Sequence, residues 1–208
     1  MADSPVEPPL PIALVVSTNC MISYRITKYN PKKRNSEGVY LDNSEWISVS
    51  DIGKPEHNNL TYEEYVVIET AYVNSVLIIL SELQLETLII DSLHIHSSKN
   101  DFKQYITTGR LQNIDINFDK EIKPLKNGVK LNISQLDKII RLILRETLGM
   151  ILINKNIEVI FGFDYYMYVK CTKLNDKTIN KIEALGLFVE PQVERRKFII
   201  TDNDGNVM

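Results

Sequence analysis

The stretch from Thr61 to about Leu83 sets the first condition on any fold this chain adopts. Thr61 and Glu64 have the spacing of a capping box, in which hydroxyl and carboxylate each satisfy an otherwise unpaired backbone N–H. Tyr65, Ile68, Tyr72, Val76, Ile79 and Leu83 then recur at intervals of three or four, one apolar stripe of a helix. Val66, Val67, Val73, Leu77, Ile78 and Leu80 widen that stripe until little polar face remains. A helix of this kind must be covered on more than one side, by a sheet or by a partner.

Strand patterns flank it. Residues 12–16 and Met21 to Tyr29 read as strands, the second with Ile22, Tyr24 and Ile26 alternating with Ser23, Arg25 and Thr27. Asn30 to Gly38 is a polar, basic loop expected to close a hairpin with Val39 to Leu41, and Trp46 to Val49 reads as a further short strand. Thr87 to Leu93 is a strand. Leu111 to Phe118 alternates, and is expected to pair with Val129 to Ile133 through the turn at Lys126-Asn127-Gly128. Residues 97–113 carry no clear assignment. A second helix is expected from a cap at Ser134, with Asp137 three residues on and Leu136, Ile139, Ile140, Ile143, Leu144 and Leu148 turned inward, ending near Gly149 to Asn154. Ile157 to Phe161 and Tyr165 to Cys171 follow as strands. A short third helix over Asp176 to Leu185 ends at Gly186, and Leu187 to Val189 and Lys197 to Thr201 finish the pattern as strands. Strands in mixed order with three helices of unequal length predict an α+β fold: a largely antiparallel sheet packed with two long helices and one short one. Residues 1–11, with Pro5, Pro8, Pro9 and Pro11, are expected to be a flexible arm, leaving 12–208 as a single domain.

The 208 residues include 24 basic and 27 acidic side chains, a net charge of −3, where nucleic-acid binders usually show a basic excess or stripe. The one basic cluster, Lys32-Lys33-Arg34, reads as a solvated turn, so no nucleic-acid partner is expected. Cys20 and Cys171 read as buried thiols rather than a disulfide framework. The acidic, proline-rich start lacks the pattern of a signal peptide. Dense apolar stretches are interrupted before the roughly 20 residues a membrane span requires. A cytoplasmic chain with no membrane partner is expected.

Few groups suggest chemistry. His94 and His96 would share one face of a strand and could begin a zinc site, but tetrahedral zinc needs further ligands, and no spacing links His57 to the pair. They carry the alternative of a metal-assisted hydrolase, against a polar edge-strand tip. Asp202-Asn203-Asp204-Gly205 fails the pattern of a calcium loop and reads as a turn. Neither cysteine has a neighbouring histidine to lower its pKa. No nucleophile elbow, phosphate-binding loop or dinucleotide glycine pattern occurs. No catalytic residue, metal or cofactor is therefore assigned, and the expectation is not an enzyme. A second alternative is a structural module that oligomerises through the 61–83 helix.

The run Phe161-Gly162-Phe163-Asp164-Tyr165-Tyr166-Met167-Tyr168-Val169 concentrates aromatics, a carboxylate and a glycine in strand-forming sequence. Alternation sends Tyr165, Met167 and Val169 one way, and Tyr166 and Tyr168 the other. One set belongs to the core. The other is either covered by helices or exposed, and exposed tyrosines are enriched where proteins meet. Asp164 caps a turn or presents a carboxylate to a basic partner. Glu63 and Glu64 favour the positive end of the first helix dipole.

Several segments resemble a family of bacterial immunity proteins that neutralise polymorphic toxins, including those of contact-dependent systems. They are Glu45 to Lys54, Leu60 to Tyr65 with Ile68-Glu69 and Ala71-Tyr72, Ile140 to Glu146, Phe161 to Val169 and Gly186-Leu187-Phe188-Val189-Glu190. Residues 1–44 and the charged 191–196 segment lie outside the match. The resemblance implies a non-catalytic inhibitor whose partner is a cognate toxin, and it carries over no residue as a toxin contact. Glu63, Glu64, Glu69, Asp164, Tyr166 and Tyr168 are the candidate partner-binding residues. For a basic nuclease toxin, the carboxylates among them, with Glu56, are candidates to meet its phosphate-binding surface.

Overall fold

Helix α1 (Tyr62–Glu82) forms where its pattern requires, opened by the reciprocal Thr61–Glu64 capping box. Its end is a Schellman turn on Gln84 (φ 54°), with Leu85 N donating to Leu80 O at 2.9 Å and Gln84 N to Ser81 O at 3.3 Å. Burying Val73, Val76, Ile79 and Leu80 contributes about 1.5–3 kcal/mol each, against about 1 kcal/mol for a cap. Packing, more than capping, holds the helix. By length and composition α1 is apolar enough to cross a membrane, contrary to the sequence expectation, yet its stripe lies inside the domain.

The structure, a computed structural model, describes residues 21–42, 44–162 and 164–191. Among them seven strands form one antiparallel sheet: β1 (Ile22–Thr27), β2 (Thr87–Ile95), β3 (Lys130–Asn132), β4 (Leu148–Asn154), β5 (Ile157–Phe161), β6 (Tyr166–Cys171) and β7 (Phe188–Pro191). Their order is β3-β2-β4-β5-β6-β1-β7. The fold is α+β, as the sequence predicts. The expected arm 1–11, the strands at 12–16 and 197–201, Cys20 and the 202–205 turn lie outside the described residues.

Helices α3 (Ile133–Leu144) and α4 (Asp176–Glu183) flank α1, α3 also meeting β3 and β4 and α4 meeting β7. The sheet residues packed into this core include Ile26, Ile90, Leu152, Val159, Met167 and Val169, all buried. The opposite face carries Ile151, Ile153, Ile160, Tyr166 and Tyr168, each partly exposed. Cross-strand pairing lines up Ser92, Ile151, Ile160, Tyr168, Arg25 and Glu190 as one row across that face. The covering that α1 demands is therefore supplied by its own chain, which leaves oligomerisation through this helix without its stated reason.

Several expectations change. The second helix, expected to reach Gly149 to Asn154, stops at Leu144, and Leu148–Asn154 is the strand β4, because Glu146 (φ 60°) turns the chain so that Thr147 N bonds Leu142 O at 3.0 Å. Trp46 to Val49 is not a strand; Ser48 and Asp51 form a capping box that starts a 3-10 turn at Val49–Asp51. Leu111 to Phe118 is not a strand either, and β3 pairs with β2 instead, because Gly128 (φ 86°) turns the chain so that its N–H bonds Ile90 O at 2.7 Å. Residues 97–113 include a helix the sequence left unassigned, α2 (Lys99–Thr107), capped by Ser98 and Asp101. α3 begins earlier than Ser134 because Asn132 and Gln135 make the working capping box. Asn30 to Leu41 closes with a single bridge, Arg34 to Tyr40, after a 3-10 turn at Pro31–Lys33.

Candidate partner-binding site

The site rests on a buried frame. Glu69, fully buried on α1, receives Arg145 in a bidentate pair at 2.6 and 2.9 Å and Arg141 at 2.9 Å, both from the C-terminal part of α3 and its cap. Arg145 Nη1 also donates to the carbonyls of Arg110 and Gln112, and Arg110 donates back to Arg145 O at 2.8 Å. This reciprocal clasp ties the segment after α2 to the end of α3. The Glu69 carboxylate opposes the cost of burying Arg145, and its guanidinium pKa is raised above the ordinary value.

Beside it, Tyr165 adopts a left-handed backbone (φ 59°) just before β6, which aims its ring inward. Its hydroxyl lies 2.6 Å from Tyr65 Oη and 2.9 Å from Leu144 O. Its carbonyl accepts from Tyr72 Oη, which in turn accepts from Lys28 N at 2.9 Å. Trp46 meets Tyr165 edge-on at 4.9 Å between centroids. Burial drives the Tyr165 hydroxyl pKa well up, so it stays a neutral hydrogen-bonding group. Trp46, Tyr65, Tyr72, Arg145 and Tyr165 thus meet inside the molecule, each buried.

Against this frame, where β1 ends and β6 begins, lie two adjoining hollows of about 440 and 600 Å³ that share Asp42, Glu45 and His57. The first is walled by Tyr29, Tyr40, Val39, Ile47, Asp164 and Tyr166, and the second reaches Trp46, Glu64 and Val67 on α1. Around them Val39, Ile47 and Val67 are 51%, 52% and 65% exposed, far more than apolar side chains in the core. Carboxylates stand between them. Asp42 is held to a pKa of about 2, chiefly by the Lys33 ammonium at 2.7 Å and then by Ser44. Glu45 bonds Lys28 Nζ at 3.0 Å; burial lowers the Lys28 pKa against this partner. The ammonium sits 4.2 Å from the Tyr29 ring centroid and 4.1 Å from that of Trp46.

The loop is fixed locally. Asp51 works against burial to stay ionised through Lys54 Nζ at 2.8 Å and Ile47 N at 2.9 Å, which keeps its pKa below the usual value. Asn35 Oδ1 accepts from Glu37 N and Val39 N, and Gly38 takes φ 80°, the left-handed turn that exposes Val39. A groove of apolar side chains and carboxylates on an internally braced frame suits recognition of a protein surface.

Of the sequence candidates, the structure brings Glu64, Asp164 and Tyr166 to the groove. Glu63 is exposed on the same first turn of α1, outside the lining. Tyr168 lies one step further along the open face, 6.5 Å from Tyr166 between centroids. Glu69 is corrected: it is sealed in the core, committed to two arginines, and presents nothing to a partner. The imidazoles of His94 and His96 lie parallel at 6.5 Å, and His96 has a lowered pKa from burial and its neighbour. Among the described residues no group of three or more histidine, cysteine or carboxylate side chains is arranged to hold a metal. His57 stands instead beside Asp51, its Nε2 3.6 Å from Oδ1. Cys171 is a buried free thiol, its pKa pushed by burial up to about 12.

Sequence reasoning missed Val39, Asp42, Glu45, Ile47 and Val67. One signal was present: Ser48 and Asp51 at capping-box spacing mark a turn rather than a strand, and a turn leaves Ile47 free to face outward. The convergence of residues 38–47 with Val67 and Asp164 has no local signature. Comparison with protein-family models, with curated proteins and with solved structures returns no match.

Proposed function

We propose that the chain is an immunity protein: a non-catalytic cytoplasmic binder that seats a cognate toxin domain on this groove and neutralises it. The observation that carries this reading is the set of half-exposed apolar side chains, Val39, Ile47 and Val67, interleaved with Asp42, Glu45, Glu64 and Asp164 around one groove. Exposed aliphatics interleaved with charge are what a partner buries on docking. The buried Glu69 network and the Tyr165 cluster supply the rigidity that lowers the entropic cost of association. The resemblance to toxin-neutralising proteins runs through this same frame and the loop upon it.

A hydrolase built on His94 and His96 has two imidazoles on β2 and its end, three strand positions from β6 in the sheet order. Among the described residues no third ligand is grouped with them.

Co-expression with the product of the neighbouring reading frame tests the proposal. The neighbour is expected to be toxic alone, harmless with this chain, and recovered with it as a one-to-one complex. A neighbour that is harmless alone, or that kills despite this chain, contradicts it.

A further inference from the structure

The carboxylates of the groove are not spread evenly, and the smaller hollow collects them. Asp42, Glu45 and Asp164 line it, and among the described residues no lysine or arginine does. Lys33 holds Asp42 from the rim and Lys28 holds Glu45 from beneath, with its ammonium side chain only 3% exposed. An ionised carboxylate accepts at about four lone-pair sites; Glu45 spends one on Lys28, Asp42 also accepts from Ser44 N at 3.1 Å and Ser44 Oγ at 2.6 Å, and both side chains remain open to solvent at 32% and 28%.

Two further polar atoms stand in the same wall. Tyr40 Oη and His57 Nδ1 are shut off from solvent and lack a hydrogen-bond partner. The floor is aromatic, with Tyr29 4.9 Å from Tyr40 and 5.3 Å from Tyr166 between centroids. Acceptors converge in this wall, and flat rings lie below.

We propose that this hollow seats an arginine side chain of the partner protein. The proposal rests on the inhibitor reading above and names the chemistry of its anchor. A guanidinium presents five N–H donors and no acceptor, stacks on aromatic faces, and is less strongly hydrated than an ammonium. The chain already uses this pairing within itself: the Arg25 and Arg34 guanidiniums lie 5.3 and 5.6 Å from the Tyr166 centroid. Val39 and Ile47 flank the hollow where the aliphatic stem would pass. A partner with an exposed arginine on its functional surface would have it covered by this contact.

The experiment titrates isotope-labelled full chain with acetyl-Gly-Arg-Gly-amide and with its lysine and citrulline counterparts, following backbone amide shifts by NMR. The arginine peptide is expected to shift residues 38–47, His57 and the segment around Asp164. It should bind about tenfold more tightly than the citrulline peptide, which keeps the shape and loses the charge. Asp42→Asn with Asp164→Asn should weaken arginine binding by about tenfold with the thermal transition retained. Should that pair unfold, Ile47→Asp, which alters an exposed wall residue, reads the location independently through the shift pattern it displaces. No binding, equal binding of arginine and citrulline, or shifts centred elsewhere overturns the proposal. Failure of the toxin co-expression with arginine binding intact would overturn the inhibitor reading alone.

Discussion

Glu69 shows how one residue changes meaning between sequence and structure. As a carboxylate on the first helix it belongs with Glu63 and Glu64 as a surface candidate; folded, it is the counter-charge for two arginines. Glu69→Ala strands Arg145 in the core, and the expected loss is about 3–5 kcal/mol of folding stability, the usual result of breaking a buried pair from one side. Urea unfolding monitored by circular dichroism measures it; a loss below about 1 kcal/mol would mean the arginines find solvent. Gly162 bears on Asp164 in another way. A Cβ there would stand 2.7 Å from Asp164 Oδ1 and 3.3 Å from Tyr166 O, so Gly162→Ala must push the carboxylate aside. The expected outcome is weaker partner binding, read by calorimetry, with the fold retained; unchanged affinity would remove Asp164 from the interface.

At the scale of elements, the sheet's β1–β7 edge is secured by charge. Glu190 on β7 accepts from Arg25 at 2.8 and 2.9 Å and from Arg34 at 2.5 Å. Burial works to raise its pKa, but the two guanidiniums prevail and hold it below the reference 4.5. A depressed carboxylate stabilises the fold above its unfolded pKa, and the contribution is lost as pH falls through the lower folded value. The stability gap between wild type and Glu190→Gln is therefore full at neutral pH and shrinks on acidification below 4.5. Denaturation at several pH values reads this, and a gap that widens on acidification would contradict it. Elements with a strong period were legible in sequence: α1 with its cap, β1, β5, β6 and the α+β class. Those that failed lack such periodicity or obey a partner. Leu111 to Phe118 alternates like a strand but is left without one because β3 takes the edge of β2. Residues 99–107 have one buried apolar side chain, Phe102, too few to print a helical stripe. The candidate site was half legible: Glu64, Asp164 and Tyr166 stand out by type, while Val39, Ile47 and Val67 become a site only when the loop folds beside α1.

For the whole molecule, frame and surface have separate duties. The Glu69 network and Tyr165 cluster hold the helices to the sheet, and the groove faces outward where β1 and β6 meet. Variants should divide accordingly: frame changes lower stability first, whereas Ile47→Asp with Val67→Asp, both at exposed positions, should keep the thermal transition within a few degrees. The most direct measurement is protection of cells that express the neighbouring toxin, scored for wild type and for this double variant at equal soluble protein levels. The account predicts survival with wild type and death with the variant. Equal protection by both would contradict the groove as the seat of neutralisation, and no protection by wild type would contradict the function itself.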